Sequence, residues 1–141
     1  MRSDATTCSC AVLRQASRRL TRLYDEALAP CGLSLNQYAL LRTIERGQPA
    51  TLGALAAEMV MDRSTVGHLL RPLASRGWLS IELSPDSARE RRPVLTANGR
   101  ALLRDAAKLR DAAEIRFATL FGAEDLASLH ELLRRVANLP I

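Results

Sequence analysis

Lysine is almost missing from this 141-residue chain. Lys108 is the only one, so nearly all 20 basic side chains are arginine and the net charge of +5 rests on guanidinium groups. A basic balance suits a polyanionic partner, and the planar guanidinium suits two-point contacts to phosphate and guanine. GC-rich coding produces the same bias, so the positions of the arginines have to decide. Nor is there an apolar run near the roughly 20 residues of a membrane-spanning helix. No secretory apolar segment follows Met1, so a cytoplasmic location with no membrane partner is expected. Three cysteines, Cys8, Cys10 and Cys31, are an odd number, which argues against a disulfide framework in a reducing compartment. Two of them close together, with no neighbouring histidine or third ligand, make a poor metal site. The chain also lacks a nucleophile with base and orienter, a pair of acids in a plausible pocket and a phosphate-cradling loop. Neither catalysis nor a metal or other cofactor is expected.

What is present is ordinary globular composition, 48% hydrophobic and 25% charged, without repeat, low-complexity tract or linker. One domain over 1–141 follows. Its organising stretch is Thr51 to Trp78, TLGALAAEMVMDRSTVGHLLRPLASRGW. Thr51 can cap a first helix whose apolar face is Leu52, Leu55, Ala56 and Met59. Asp62 can cap a second, where the helix dipole favours a carboxylate. Val66, Leu69, Leu70 and Leu73 then mark its buried face, and Arg63, Ser64, Thr65, Gly67, His68 and Arg71 lie opposite. Gly77 supplies the stop, and Pro72 predicts a kink. Such a pair is what a helix-turn-helix needs to enter a major groove. A strand over Trp78–Leu83, a turn through SPDSARERRP and a short strand at Val94-Leu95 complete a hairpin with Arg89, Arg91 and Arg92 at its tip.

Helices are also expected from about Ser9 to Ala29, from a capping box at Ser34–Gln37 to a stop at Gly47 and Pro49, from Thr96 to about Leu120, and from about Ala123 to Ala137. The fold class is therefore mainly α with a small wing of two or three strands. A winged helix-turn-helix lobe over 34–95 is framed by long helices at 8–30 and 96–138. These are too apolar to be covered by a lobe of about 60 residues, so a second copy is expected to bury them as a two-fold homodimer.

LAAEMVMDRSTVGHLLRPLASRGWL, the D…R-x-R-R wing and LTANGRALL together resemble the MarR family of bacterial winged-helix regulators. The resemblance implies a homodimer, usually a repressor, on a pseudo-palindromic double-stranded DNA operator. It implies base-edge or nearby phosphate contacts for Ser64, Thr65 and His68, and phosphate or guanine contacts for Arg63 and Arg71. Arg89, Arg91 and Arg92 would follow the backbone or minor groove, with Asp86 orienting an arginine. Cys10 and Tyr24, fourteen positions apart around an A-S-R segment, resemble the organic-hydroperoxide-sensing branch, in which Cys10 would be the oxidised thiol. The competing effector is a small aromatic or acyl molecule between the dimer helices and the DNA-binding lobe. A winged-helix protein-interaction module without sequence-specific DNA binding is the alternative function.

Overall fold

In a computed structural model the described residues are 7–47 and 51–141, and they form six α-helices and one antiparallel pair of strands. Helix α1 (Ser9–Leu28) buries only Tyr24 and Leu28, near its C-terminal end. A single 3-10 turn at Ala29–Cys31 follows, closed by Gly32 at φ 71°. Helix α2 (Leu35–Arg46) opens with the expected capping box: Gln37 N–H donates to Ser34 Oγ and Ser34 N–H donates to Gln37 Oε1, both at 3.1 Å. Tyr38, Leu40, Leu41, Thr43 and Ile44 are all buried, so α2 is the central element that the others wrap. Gly47 ends it, while the expected stop at Pro49 lies outside the described residues.

Helices α3 (Leu52–Met59) and α4 (Arg63–Ser75) are the expected pair. The turn between them holds Val60 at φ 53°, a left-handed conformation that a β-branched side chain reaches only with strain. Its reward is closure of α3: Met61 N–H donates to Ala56 O (2.9 Å) and Val60 N–H to Ala57 O (3.2 Å). Helix α4 continues beyond Pro72 to Ser75. Gly77, at φ 78°, then closes α4 by the same pattern, with Trp78 N–H donating to Leu73 O and Gly77 N–H to Ala74 O.

The wing departs from expectation. Strand β1 (Leu79–Ser84) pairs with β2 (Ser87–Leu95), in register from Leu79↔Leu95 to Leu83↔Arg91. The tip is Pro85-Asp86, and Arg89, Arg91 and Arg92 lie along a strand rather than in a turn. A two-stranded ribbon whose buried residues sit at its base needs no apolar alternation further out. Leu79, Pro93 and Leu95 are buried there, and the polar run SARERRP carries no strand signal of its own.

Helix α5 (Ala97–Phe121), capped by Thr96, returns across the lobe, and Gly122 at φ 101° turns the chain into α6 (Ala123–Ala137). Leu28, Leu40, Leu41, Leu55, Val66, Leu70, Leu73 and Leu103 form the dry centre, contributed by all helices except α6, which buries no residue. Gly99, in the first turn of α5, lies against the backbone of Trp78. A Cβ there would run into the Trp78 carbonyl oxygen and sit 2.9 Å from its carbonyl carbon.

Two glycine exchanges should therefore have opposite signs. Gly99→Ala is expected to destabilise by about 1–3 kcal/mol, because rigid backbone must move. Val60→Gly is expected to stabilise by about 1 kcal/mol, because the left-handed strain of an exposed valine is removed. Urea midpoints at unchanged m-value test both.

Candidate nucleic-acid interface

The exposed face of α4 is fixed by what is buried behind it. Val66, Leu70 and Leu73 lock the helix into the core, which leaves Arg63, Ser64, Thr65, His68 and Arg71 exposed. At its start, Asp62 Oδ1 accepts the Thr65 N–H at 2.7 Å. The Thr65 backbone and hydroxyl hydrogen bonds, with smaller help from His68 and the Ser64 N–H, hold the Asp62 carboxyl below the ordinary range. Thr65 is thus tied to the cap through its backbone, and Ser64, Thr65 and His68 are exposed polar groups of the first two turns. Gly67 has no atom within 4 Å of where a Cβ would stand, so one flank of α4 is open down to the backbone.

Arg63 does not project freely. Its guanidinium lies over Gly53 at the start of α3, with Nη2 only 2.5 Å from the place a Gly53 Cβ would occupy. There it borders a cleft of about 220 Å³ with Thr51, Leu52, Arg89, Glu90 and Arg91. Side chains from α4, the start of α3 and β2 thus bring three of the expected arginines to one place. Arg92 is separated from them, as alternation along a strand requires. It is half-buried beside Glu82 (3.5 Å), pointing toward Ile44, Pro93 and Arg100, and its Nε is buried with no hydrogen-bond partner among the described residues. Asp86 sits at the hairpin tip, its N–H 3.4 Å from Ser84 Oγ.

Sequence spacing does not point to Arg76, which caps α4, donates to Gly32 O at 2.7 Å and lies over the Trp78 ring at 5.1 Å. That link joins residues 44 apart in the chain, a distance at which spacing carries no signal.

The cysteines are spread out. Cys8 and Cys10 are exposed at the start of α1. Cys31 is half-buried, and burial, with the Asp105 charge, pushes its thiol pKa up, away from a reactive thiolate. The Tyr24 hydroxyl donates to the Glu114 carboxylate, which also has His130 Nε2 at 3.9 Å. Burial first, and Glu114 second, push Tyr24 up to about 12, so it is a phenol at neutral pH. Along one helix, fourteen residues span about 21 Å, so Cys10 and Tyr24 of the same chain do not meet. No helix among the described residues is long and apolar enough to cross a membrane.

Residues 33–90 match the model of the MarR family. Solved structures resemble the whole chain. A transcriptional repressor, CouR, bound to a 23-mer DNA duplex is 24% identical with a TM-score of 0.87, covering 96% of each chain. A MarR-family transcriptional regulator from Rhodococcus sp. RHA1 is 25% identical with a TM-score of 0.80, over 95% of this chain and 97% of its own. CouR from Rhodococcus jostii RHA1 bound to p-coumaroyl-CoA is 23% identical with a TM-score of 0.79, over 99% of both. No curated protein matches in sequence.

The Asp62 cap yields a pH test. Its depressed carboxyl contributes stability above the unfolded-state value, and that contribution is lost as pH falls through the lower folded one. The melting-temperature advantage of wild type over Asp62→Asn should hold at neutral pH and shrink below about pH 4. An advantage that is constant down to acid pH would show that ionisation plays no part in the cap.

Proposed function

We propose that this chain, a member of the MarR family, is a DNA-binding transcriptional regulator: a homodimeric repressor on a pseudo-palindromic operator, released by a small effector. The observation that carries this reading is the exposed polar face of α4 beside the basic cleft of Arg63, Arg89 and Arg91. That arrangement offers base-reading groups on a helix and phosphate-seeking charge at its flank. Dimerisation is supported by Val12 and Leu13 of α1, Ile115, Leu120 and Phe121 of α5, and Leu132 and Val136 of α6, all exposed in the single chain. A face of that extent calls for a partner, and a second copy supplies the matching one.

For the effector we favour a small aromatic or acyl anion. A cleft of about 550 Å³ between α2, α3 and α5 is bordered by Tyr38, Met59, Arg42, Arg46 and Arg110, within the range of small-molecule sites. Arg42 is engaged by Glu45 and Arg110 by Asp111, which leaves Arg46 as the cation without an ion pair among the described residues. Hydroperoxide release through Cys10 is the second reading, favoured by its exposure at a helix start. Since Tyr24 is 21 Å or so away along the helix and bound to Glu114, any thiol–phenol contact would have to come from a second copy.

The DNA reading is tested on a duplex selected in vitro from a random library. Wild-type affinity should fall steeply with salt, which a protein-interaction module would not show. Arg91→Ala should flatten the salt slope by about one unit. Arg92→Ala should do so less, because Glu82 already holds that guanidinium. His68→Ala should instead change the preference among duplexes, by about 1–3 kcal/mol where a base contact is lost. Release by aromatic carboxylates but not by organic hydroperoxide supports the effector cleft. Release by hydroperoxide that Cys10→Ser abolishes supports the thiol.

A further inference from the structure

Gly53 stands in the first turn of α3, where a helix has no need of glycine. Its φ is not in the left-handed region, and alanine is the better helix former by about 1 kcal/mol. What the position lacks is room. A Cβ would lie 2.5 Å from Arg63 Nη2, 3.1 Å from Cζ and 3.2 Å from Nε, in contact with the whole guanidinium. Every one of those atoms belongs to the far end of a flexible side chain, so the fold can admit a methyl group by moving Arg63 alone. The glycine therefore serves the placement of one guanidinium rather than the packing of the helix.

That placement has a direction. Arg63 leaves α4 on the flank nearest α3, and from the Gly53 notch it faces the cleft that Arg91 borders from β2 and Thr51 borders from the start of α3. Glu90 is the carboxylate on that rim, and Arg63 has no hydrogen bond or ion pair among the described residues. The dipole of α3 adds positive potential at the same end. Arginines from two separate elements, aimed at one gap beside a reading helix, match the demands of a backbone phosphate.

We propose that Gly53 is a positioning residue for DNA binding: by omitting a side chain, it seats the Arg63 guanidinium over the first turn of α3, where together with Arg91 it clamps one phosphate of the bound duplex. This rests on the reading of the protein as a DNA-binding regulator and goes beyond it by assigning a role to a residue that itself touches no DNA. Without the notch, Arg63 samples many rotamers and its contact carries the entropy of being ordered at binding.

The test is a double-mutant cycle on the duplex selected with wild type, read by fluorescence anisotropy over a series of KCl concentrations. Arg63→Ala and Gly53→Ala are each expected to weaken binding about tenfold and to reduce the salt slope, by about one unit for Arg63→Ala and by up to that for Gly53→Ala. The double variant should bind no more weakly than Arg63→Ala, because the second change has nothing left to displace. Gly53→Ala should melt at or above the wild-type temperature, and Gly53→Ser, run alongside, should repeat the binding loss. Should Arg63→Ala weaken binding while Gly53→Ala and Gly53→Ser leave affinity and slope unchanged, the positioning role is overturned and the DNA-binding reading stands. Additive losses in the double variant overturn it too, since Gly53 would then act by another route. Wild-type protein with no salt-dependent affinity for any selected duplex overturns both.

Discussion

The contact between the Trp78 carbonyl and the first turn of α5 is the joint on which the DNA-facing half depends. Trp78 O accepts the Thr96 N–H at 3.1 Å, Thr96 Oγ1 donates to Gly77 O at 2.6 Å, and Thr96 Oγ1 in turn accepts the Gly99 N–H at 3.0 Å. Four structural events meet there: α4 ends, β1 begins, β2 ends and α5 begins. Thr96 thus serves both ends at once, capping α5 and donating to the backbone that follows α4. Gly99 makes the approach possible, because any side chain would hold the two backbones apart. The wing is held at its base by this joint and by its buried residues Leu79, Pro93 and Leu95.

Where local chemistry decides the structure, the chain was readable in advance. The caps at Ser34, Thr51, Asp62 and Thr96 and the closures at Gly47 and Gly77 are each a residue type matched to a backbone need, visible within four positions. The outward face of α4 was legible for the same reason, since three buried aliphatic residues at helical spacing determine what remains. The wing was not. Its strand is held by backbone pairing and by burial at one end, and neither leaves a mark on the polar residues between. Treating SARERRP as a turn put three arginines at a common tip. The strand instead alternates them, so Arg91 borders the basic cleft while Arg92 is turned to Glu82.

Long-range contacts were illegible for a different reason. Gly53 and Arg63, Arg76 and Gly32, Tyr24 and Glu114 are pairings made by tertiary packing, and the sequence shows each partner as an ordinary residue. Gly53 is instructive because sequence reading treats a glycine in a helix as a weakness. The weakness is real only until a neighbour's guanidinium is placed in the vacated space.

These joints also say how the dimer helices could govern the reading helix. Helix α4 is tied at its C-terminal end twice: through Arg76 to Gly32, just past the end of α1, and through Gly77 and Trp78 to the start of α5. Both α1 and α5 carry the exposed apolar residues that a second copy would cover. A shift in how two copies pack would therefore reach α4 through both ties. The helix would move as a unit, since its buried face is interlocked with a close-packed core that does not deform continuously. The cleft between α2, α3 and α5 is bordered by Ala107, Arg110 and Asp111 of α5, the helix that the second tie reaches. A ligand there need not touch α4: if it wedged α5 away from α2, it would change the separation of the two reading helices in a dimer. Half-sites on a duplex are spaced by the helical repeat, so a small change in that separation would cost one of the two lobes its groove.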